Sequence, residues 1–119
     1  MVGFRLPGES EMDKTARVRE LNDAFRQTFT SGLIQLSARV NALPDADKAM
    51  VLDKVRTQDL FDRDYDPYGE HTFLLVEHDG AVYFARIQYY GADLRRWSDD
   101  PSDPIKTVRV LTVMHEEEY

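Results

Sequence analysis

The sequence predicts an α+β fold: a mainly antiparallel four-stranded sheet with two helices packed on one face, in the order α-β-α-β-β-β. Three observations carry this reading. A helical repeat of apolar residues stands near the N-terminus, an Asp-Gly pair separates two alternating segments, and a final alternating run has little charge on either face. The length of 119 residues fits one domain, 1–119, with one modest core.

Residues 1–9 carry Gly3, Pro7 and Gly8 without a period and read as a flexible arm, although Val2, Phe4 and Leu6 alternate as an edge strand would. Ser10 with Asp13 resembles a capping box for a helix over 12–28. There Val18, Leu21, Phe25 and Phe29 form the apolar stripe, with Arg17, Glu20, Asp23 and Arg26 on other faces. Gly32 suits a left-handed turn past the helix end. Residues 33–40 alternate as a half-buried strand, while Leu33, Leu36 and Val40 also fit a helix. A second helix runs over 45–57, capped by Asp45 and burying some of Ala49, Met50, Leu52 and Val55.

Asp79-Gly80 is a strong hairpin signal. A two-residue loop sets His78 opposite Ala81, Val76 opposite Tyr83 and Leu74 opposite Ala85. One face then collects Leu74, Val76, Ala81, Tyr83, Ala85, Ile87 and Tyr89 as the better core candidate. Residues 91–106 exceed the usual connection length, which favours a functional loop. Residues 107–114 form the last strand, expected to be central, and Leu21, Phe25, Leu74, Val76, Ile87 and Val110 are expected to share one core. Residues 115–119 are a short acidic tail.

Composition narrows the function classes. Hydrophobic residues make up 42% and charged residues 31%, an ordinary soluble balance. The apolar runs are too short to span a bilayer, and residues 1–10 lack the apolar stretch of a secretory signal, so the expected location is cytoplasmic. The absence of cysteine rules out disulfides, thiol nucleophiles and Cys-ligated metals. With a net charge of −7 and scattered basic residues, a phosphate-tracking groove is disfavoured, so direct nucleic-acid binding is not expected. An acidic surface serves solubility or steers the domain towards a basic partner.

The stretch from Asp59 to His71 concentrates chemistry. Asp59, Asp62, Asp64, Asp66, Glu70 and His71 fall in one turn-rich connection, where Asp, Pro, Tyr and Gly also serve simply as turn formers. Asp62, Asp64 and Asp66 alternate as in a calcium loop. Counted from Asp62, however, the sixth and twelfth positions hold Pro67 and Phe73 instead of Gly and Glu. A metal reading would use Asp62, Asp64, Asp66 and Glu70. A catalytic reading would pair Glu70 with His71, which needs a bend because neighbours on a strand face opposite ways. His78, beside the hairpin turn, is expected in solvent, and His115 stands within reach of acidic residues. There is no Gly-rich phosphate loop, Gly-x-Ser-x-Gly elbow or His-Glu-x-x-His, and no cofactor is expected.

Tyr65, Tyr68, Tyr83, Tyr89, Tyr90 and Trp97 supply the second half with amphipathic rings, which serve either interfaces or the edge of a core. The leading expectation is a non-enzymatic interaction domain with Asp64, Asp66, Tyr68, Trp97, Asp99 and Asp103 as binding residues and a basic protein as partner. The alternative is a small enzyme or metal-binding protein using the loop from Asp62 to His71.

Several motifs jointly resemble a known family. They are Leu21-Asn22-Asp23-Ala24-Phe25-Arg26, Asp66-Pro67-Tyr68-Gly69-Glu70-His71 followed by Phe73, Tyr89-Tyr90, Asp100-Pro101-Ser102-Asp103-Pro104, Arg109-Val110-Leu111-Thr112-Val113-Met114 and Glu118-Tyr119. Over roughly residues 16–119 the chain resembles a short bacterial domain-of-unknown-function family often carried on plasmids and mobile elements. Thr72 departs from the Asp that often follows Glu-His there. The resemblance implies no activity, cofactor or catalytic residue. Its mobile-element setting implies, by analogy, an inhibitor of host defence of the anti-restriction or anti-CRISPR type.

Overall fold

The computed structural model describes residues 7–119, with side chains from residue 13 onward. The element order is α1 (Pro7–Thr28), β1 (Gly32–Leu36), α2 (Ala38–Asn41), α3 (Asp45–Thr57), β2 (Phe73–His78), β3 (Ala81–Tyr90) and β4 (Val108–His115), closed by a 3₁₀ turn, Glu116–Glu118. The fold is α+β. Its sheet is mixed, in the order β1-β4-β3-β2. β2–β3 and β3–β4 are antiparallel, whereas β1 runs parallel to β4, so the expected mainly antiparallel sheet holds for two of its three pairs.

Most of the expected arm lies outside the described residues. Its last part is helical: α1 opens at Pro7, where proline's fixed φ is tolerated, and Ser10 lies inside the helix instead of capping it. The buried phase of α1 is Val18, Asn22, Phe25 and Arg26, which replaces the expected stripe through Leu21. At its end, Phe29 and Ser31 adopt left-handed backbone, with φ of 55° and 69°, in place of Gly32. Gly32 is required for space: a Cβ there would stand 2.6 Å from the Arg109 carbonyl oxygen and 2.7 Å from the Phe25 ring.

β1 stops at Leu36, and 38–41 is a helical turn rather than the end of a strand. Ser37 makes the switch. Its N–H closes the parallel ladder on the Val113 carbonyl at 3.0 Å, and its hydroxyl accepts from Val40 N at 3.2 Å while donating to Glu118 Oε1 at 2.6 Å. Val40 is thereby buried in the core. In α3, Pro44 takes the cap position and Asp45 opens the first turn, where a carboxylate suits the helix dipole. Val51 and Val55 are buried, Leu52 packs against the core, and Ala49 and Met50 are exposed.

The hairpin has the expected register, with His78 opposite Ala81 and Leu74 opposite Ala85. Asp79 and Gly80 both have positive φ, as a type I′ turn requires. The core joins Phe25, Val40, Val51 and Val55 to the sheet face of Leu74, Val76, Tyr83, Ala85, Ile87, Leu111 and Val113. Val110 faces the other way, opposite Leu33 and Gln88, because Ile87 pairs with Leu111 and fixes the phase of β4. His78 is buried, its Nε2 held 2.9 Å from Asp47 Oδ1. His115 Nδ1 accepts from Glu117 N at 3.1 Å and caps the final turn.

Phe25→Ala should lower unfolding free energy by about 3–5 kcal/mol, the range for truncating a buried ring. Chemical denaturation measures it, and an unchanged midpoint would show that Phe25 does not anchor α1 to the sheet.

Candidate interaction surface

Both long connections, 58–72 and 91–107, emerge at the same end of the sheet. The first enters β2 at Phe73 and the second leaves β3 at Tyr90, and these strands run antiparallel. Each is built from short-range polar turns. In the first, Asp62 Oδ1 accepts from Asp64 N at 2.8 Å, and Asp66 Oδ1 accepts from His71 N at 3.0 Å. Gly69 and His71 take positive φ, 69° and 60°, which bends the chain between Asp66 and β2. In the second, Asp93 Oδ1 accepts from Arg95 N and Asp103 Oδ1 from Ile105 N. Hydrogen bonds hold the Asp93 and Asp100 carboxyls below the usual range, chiefly the Arg95 amide for Asp93 and the Ser102 hydroxyl for Asp100.

A buried network binds the two connections together. Asn22, with no exposed surface, donates from Nδ2 to the Glu70 carbonyl at 2.9 Å and to the Tyr89 hydroxyl at 2.8 Å. Its Oδ1 accepts from Arg109 Nε at 2.7 Å. The Tyr89 hydroxyl donates to Glu70 Oε1 at 2.9 Å, and Arg109 Nη2 reaches the Pro101 carbonyl at 2.6 Å. The Arg109 guanidinium also lies 5.2 Å from the Tyr89 ring centroid. One helix, two strands and both loops thus share one set of hydrogen bonds. Burial, aided by the Glu70 charge, pushes the Tyr89 hydroxyl well above its ordinary value. Desolvation lowers Arg109, against the pull of Tyr89 and Glu70.

Glu70 and His71 turn to different partners. Glu70 joins the buried network, whereas His71 Nδ1 lies 2.9 Å from Asp23 Oδ1 and the ring stacks on Phe61 at 3.8 Å between centroids. Asp23 Oδ1 also accepts from Arg26 Nη2 at 3.3 Å. Arg26 Nη1 in turn reaches the last carbonyls of α3, Val55 at 2.9 Å and Arg56 at 3.0 Å. An open cleft of about 630 Å³ lies over this group, lined by Asp23, Arg26, Asp53, Arg56, Asp59 and His71.

The other expected site residues separate. Asp64 and Asp99 are exposed, while Asp103 is half-buried. Asp66 is only 7% exposed and serves the loop itself. Tyr68 is 79% exposed and Trp97 62%, the latter packed against Tyr90 at 4.9 Å between centroids. Tyr83 fills the core. Of the suggested metal ligands, Asp62, Asp66 and Glu70 bond to Asp64 N, His71 N and Tyr89 respectively. Among the described residues, no three His, Asp or Glu side chains group as ligands of one ion. Sequence reading missed Asn22, Asp23, Arg26 and Arg109. The available signal was phase: Asn22 and Arg26 follow Val18 by one and two helical turns, on the buried stripe. It also missed Ile105, 87% exposed, and Leu94, 49% exposed at a φ of 61°.

These features define a small α+β domain whose ordered loops hold large apolar rings among carboxylates. The chain belongs to the family described as Protein of unknown function (DUF3768), whose model matches residues 36–118. The α1 motif Leu21–Arg26 lies outside the matched part. No curated protein and no solved structure matches the chain.

Tyr89→Phe should cost about 1–3 kcal/mol, because it takes one acceptor from the fully buried Asn22 amide and the hydroxyl donor from the half-buried Glu70 carboxylate. The pH dependence has a definite sign. The folded-state pKa is raised, so Tyr89's contribution is complete below the ordinary tyrosine value near 10 and is lost as pH rises beyond it. Denaturation at pH 9, 10 and 11 should show a steeper decline for the wild type than for Tyr89→Phe. Parallel declines would mean the hydroxyl is not held neutral by the fold.

Proposed function

We propose that this domain is a non-enzymatic protein-interaction module that binds a basic protein through the acidic, aromatic end of its sheet. The observation that carries the reading is the exposure of Tyr68, Trp97 and Ile105 on loops that are internally bonded and tied to one buried network. Large side chains held in water on ordered backbone lower the ordering cost of association. The two connections, 59–70 and 91–106, carry nine carboxylates against four basic side chains, most of the chain's net charge of −7. Such a field speeds encounter with a cationic surface, and Trp97 and Tyr68 supply the contacts that slow dissociation. Asp64, Asp99 and Asp103 supply charge, while Asp66 shapes the loop. The partner class we propose is a component of a host-defence complex, such as a restriction or CRISPR-type effector. Such assemblies hold nucleic acid in positively charged channels, and the mobile-element setting that the family resemblance implies fits a partner of this kind.

Pull-down from cells carrying such a system, followed by surface plasmon resonance at two salt concentrations, tests the proposal. Association should slow with added salt and in the Asp64→Asn, Asp99→Asn, Asp103→Asn triple variant. Trp97→Ala should chiefly speed dissociation, by roughly tenfold or more. Binding indifferent to salt and to these changes, or no captured partner, would overturn it.

A second reading has one specific observation behind it. Asp23 Oδ1 lies 2.9 Å from His71 Nδ1, where it accepts from the tautomer that carries its proton on Nδ1, and Nε2 has no hydrogen-bond partner among the described residues. His71 lines the cleft of about 630 Å³ and could act there as a base. Hydrolysis of p-nitrophenyl acetate or phosphate that disappears in His71→Asn would favour this reading. Equal background rates in both proteins would dismiss it.

A further inference from the structure

β2 is an outer strand of the sheet, and its outer edge, which pairs with no strand among the described residues, opens into a trough. The Leu75 and Glu77 carbonyls point away from β3, as shown by the side chains of α3 and its C-cap residue that reach them: Gln58 Nε2 donates to Leu75 O at 2.9 Å and Lys54 Nζ to Glu77 O at 2.6 Å. In an antiparallel pair, alternate residues turn both backbone groups outward. The N–H groups of Phe73, Leu75 and Glu77 therefore face the same way, while Thr72 accepts from Ile87 N on the inner side at 2.8 Å. No hydrogen-bond acceptor meets those three N–H groups among the described residues.

Two cavities lie along this edge. One, of about 330 Å³, is lined by Gln58, Leu60, Phe61, Asp62, Tyr65 and Leu75, among others. The other, of about 350 Å³, is lined by Lys54, Thr57, Gln58, Leu75 and Glu77, with Val76. Gln58 and Leu75 belong to both, so the two form one trough beside residues 73–77 with α3 as a wall.

We propose that this edge accepts an extended, basic polypeptide segment as a fifth strand, with Lys54 and Gln58 as displaceable plugs. Free N–H groups and carbonyls held only by side chains are what an added strand pairs with. The charge of the occupant follows from the trough. Asp62 stands at one end and exposed Glu77 at the other. Lys54 already lays an ammonium on the Glu77 carbonyl, an internal stand-in for a basic side chain of the occupant. Leu60, Tyr65 and Phe61 give apolar wall to the alternate side chains of a strand. The inference rests on the preceding reading only for the acidic character of this end, since Trp97 and Tyr68 line neither cavity.

The test is fluorescence anisotropy with a labelled, end-blocked peptide of alternating Lys and Val, and a Glu–Val peptide as control. The Lys–Val peptide should bind, the Glu–Val peptide should not, and N-methylation at alternate peptide amides should abolish binding. Lys54→Ala/Gln58→Ala should tighten binding by about tenfold, a change of about 1.4 kcal/mol, and by more than Lys48→Ala, which removes the same charge elsewhere on the domain. Amide shifts in the protein should centre on Phe73, Leu75 and Glu77. Trp97→Ala should leave this binding unchanged while weakening capture of the proposed partner, so the two ideas can fail separately. Four results would overturn the proposal: no peptide binding by the unplugged variant, binding that survives N-methylation, shifts centred on Trp97, or pairing of the unplugged variant with a second copy through β2.

Discussion

The structure depends on a polar side chain placed where the sequence pattern calls for an apolar one. Asn22 has no exposed surface, and an amide so buried must find partners or cost about 1–3 kcal/mol for each group left unsatisfied. Its partners come from the first long connection, β3 and β4. One turn later Arg26 repeats the device, spending its guanidinium on the C-terminal carbonyls of α3, with Asp23 beside it as counter-charge. Helix α1 therefore fixes the loops and the second long helix by hydrogen bonds as well as by Phe25.

That constraint explains why two long connections in a small acidic domain are ordered. Arg19 holds the Gly69 carbonyl, Asn22 the Glu70 carbonyl, and Arg109 the Pro101 carbonyl. With their backbones tied down, the loops can hold Trp97, Tyr68 and Ile105 in water without collapsing onto them. The same anchoring separates Glu70 from His71. One becomes a half-buried acceptor for Tyr89 and the other faces a cleft with Asp23 behind it, so the acidic stretch divides into a structural half and a surface half.

The hairpin was legible because an Asp-Gly turn and a period of two fix register locally, and residues 73–90 follow both. β4 was legible as a strand but not in phase, since both of its faces are apolar and only pairing with β3 decides between Val110 and Leu111. The parallel pairing of β1 is a long-range choice with no local mark. The turn at 38–41 depends on Ser37 meeting Glu118, far away in sequence. The location of the site was legible from its clustered carboxylates and rings. Its organisation was not, because Asn22, Arg26 and Arg109 read as ordinary polar residues until the fold brings them under the loops.

The central claim is that one buried amide couples the two loops. Hydrogen exchange on Asn22→Leu tests it most directly. The amides of Gly69 and His71 in one loop and of Gly91 and Ser98 in the other are hydrogen-bonded in the native fold. In the variant all four should lose protection together, while Leu74, Val76 and Ala85 in the hairpin retain theirs. Loops that exchange as in the wild type, or a uniform loss across hairpin and loops alike, would contradict the account.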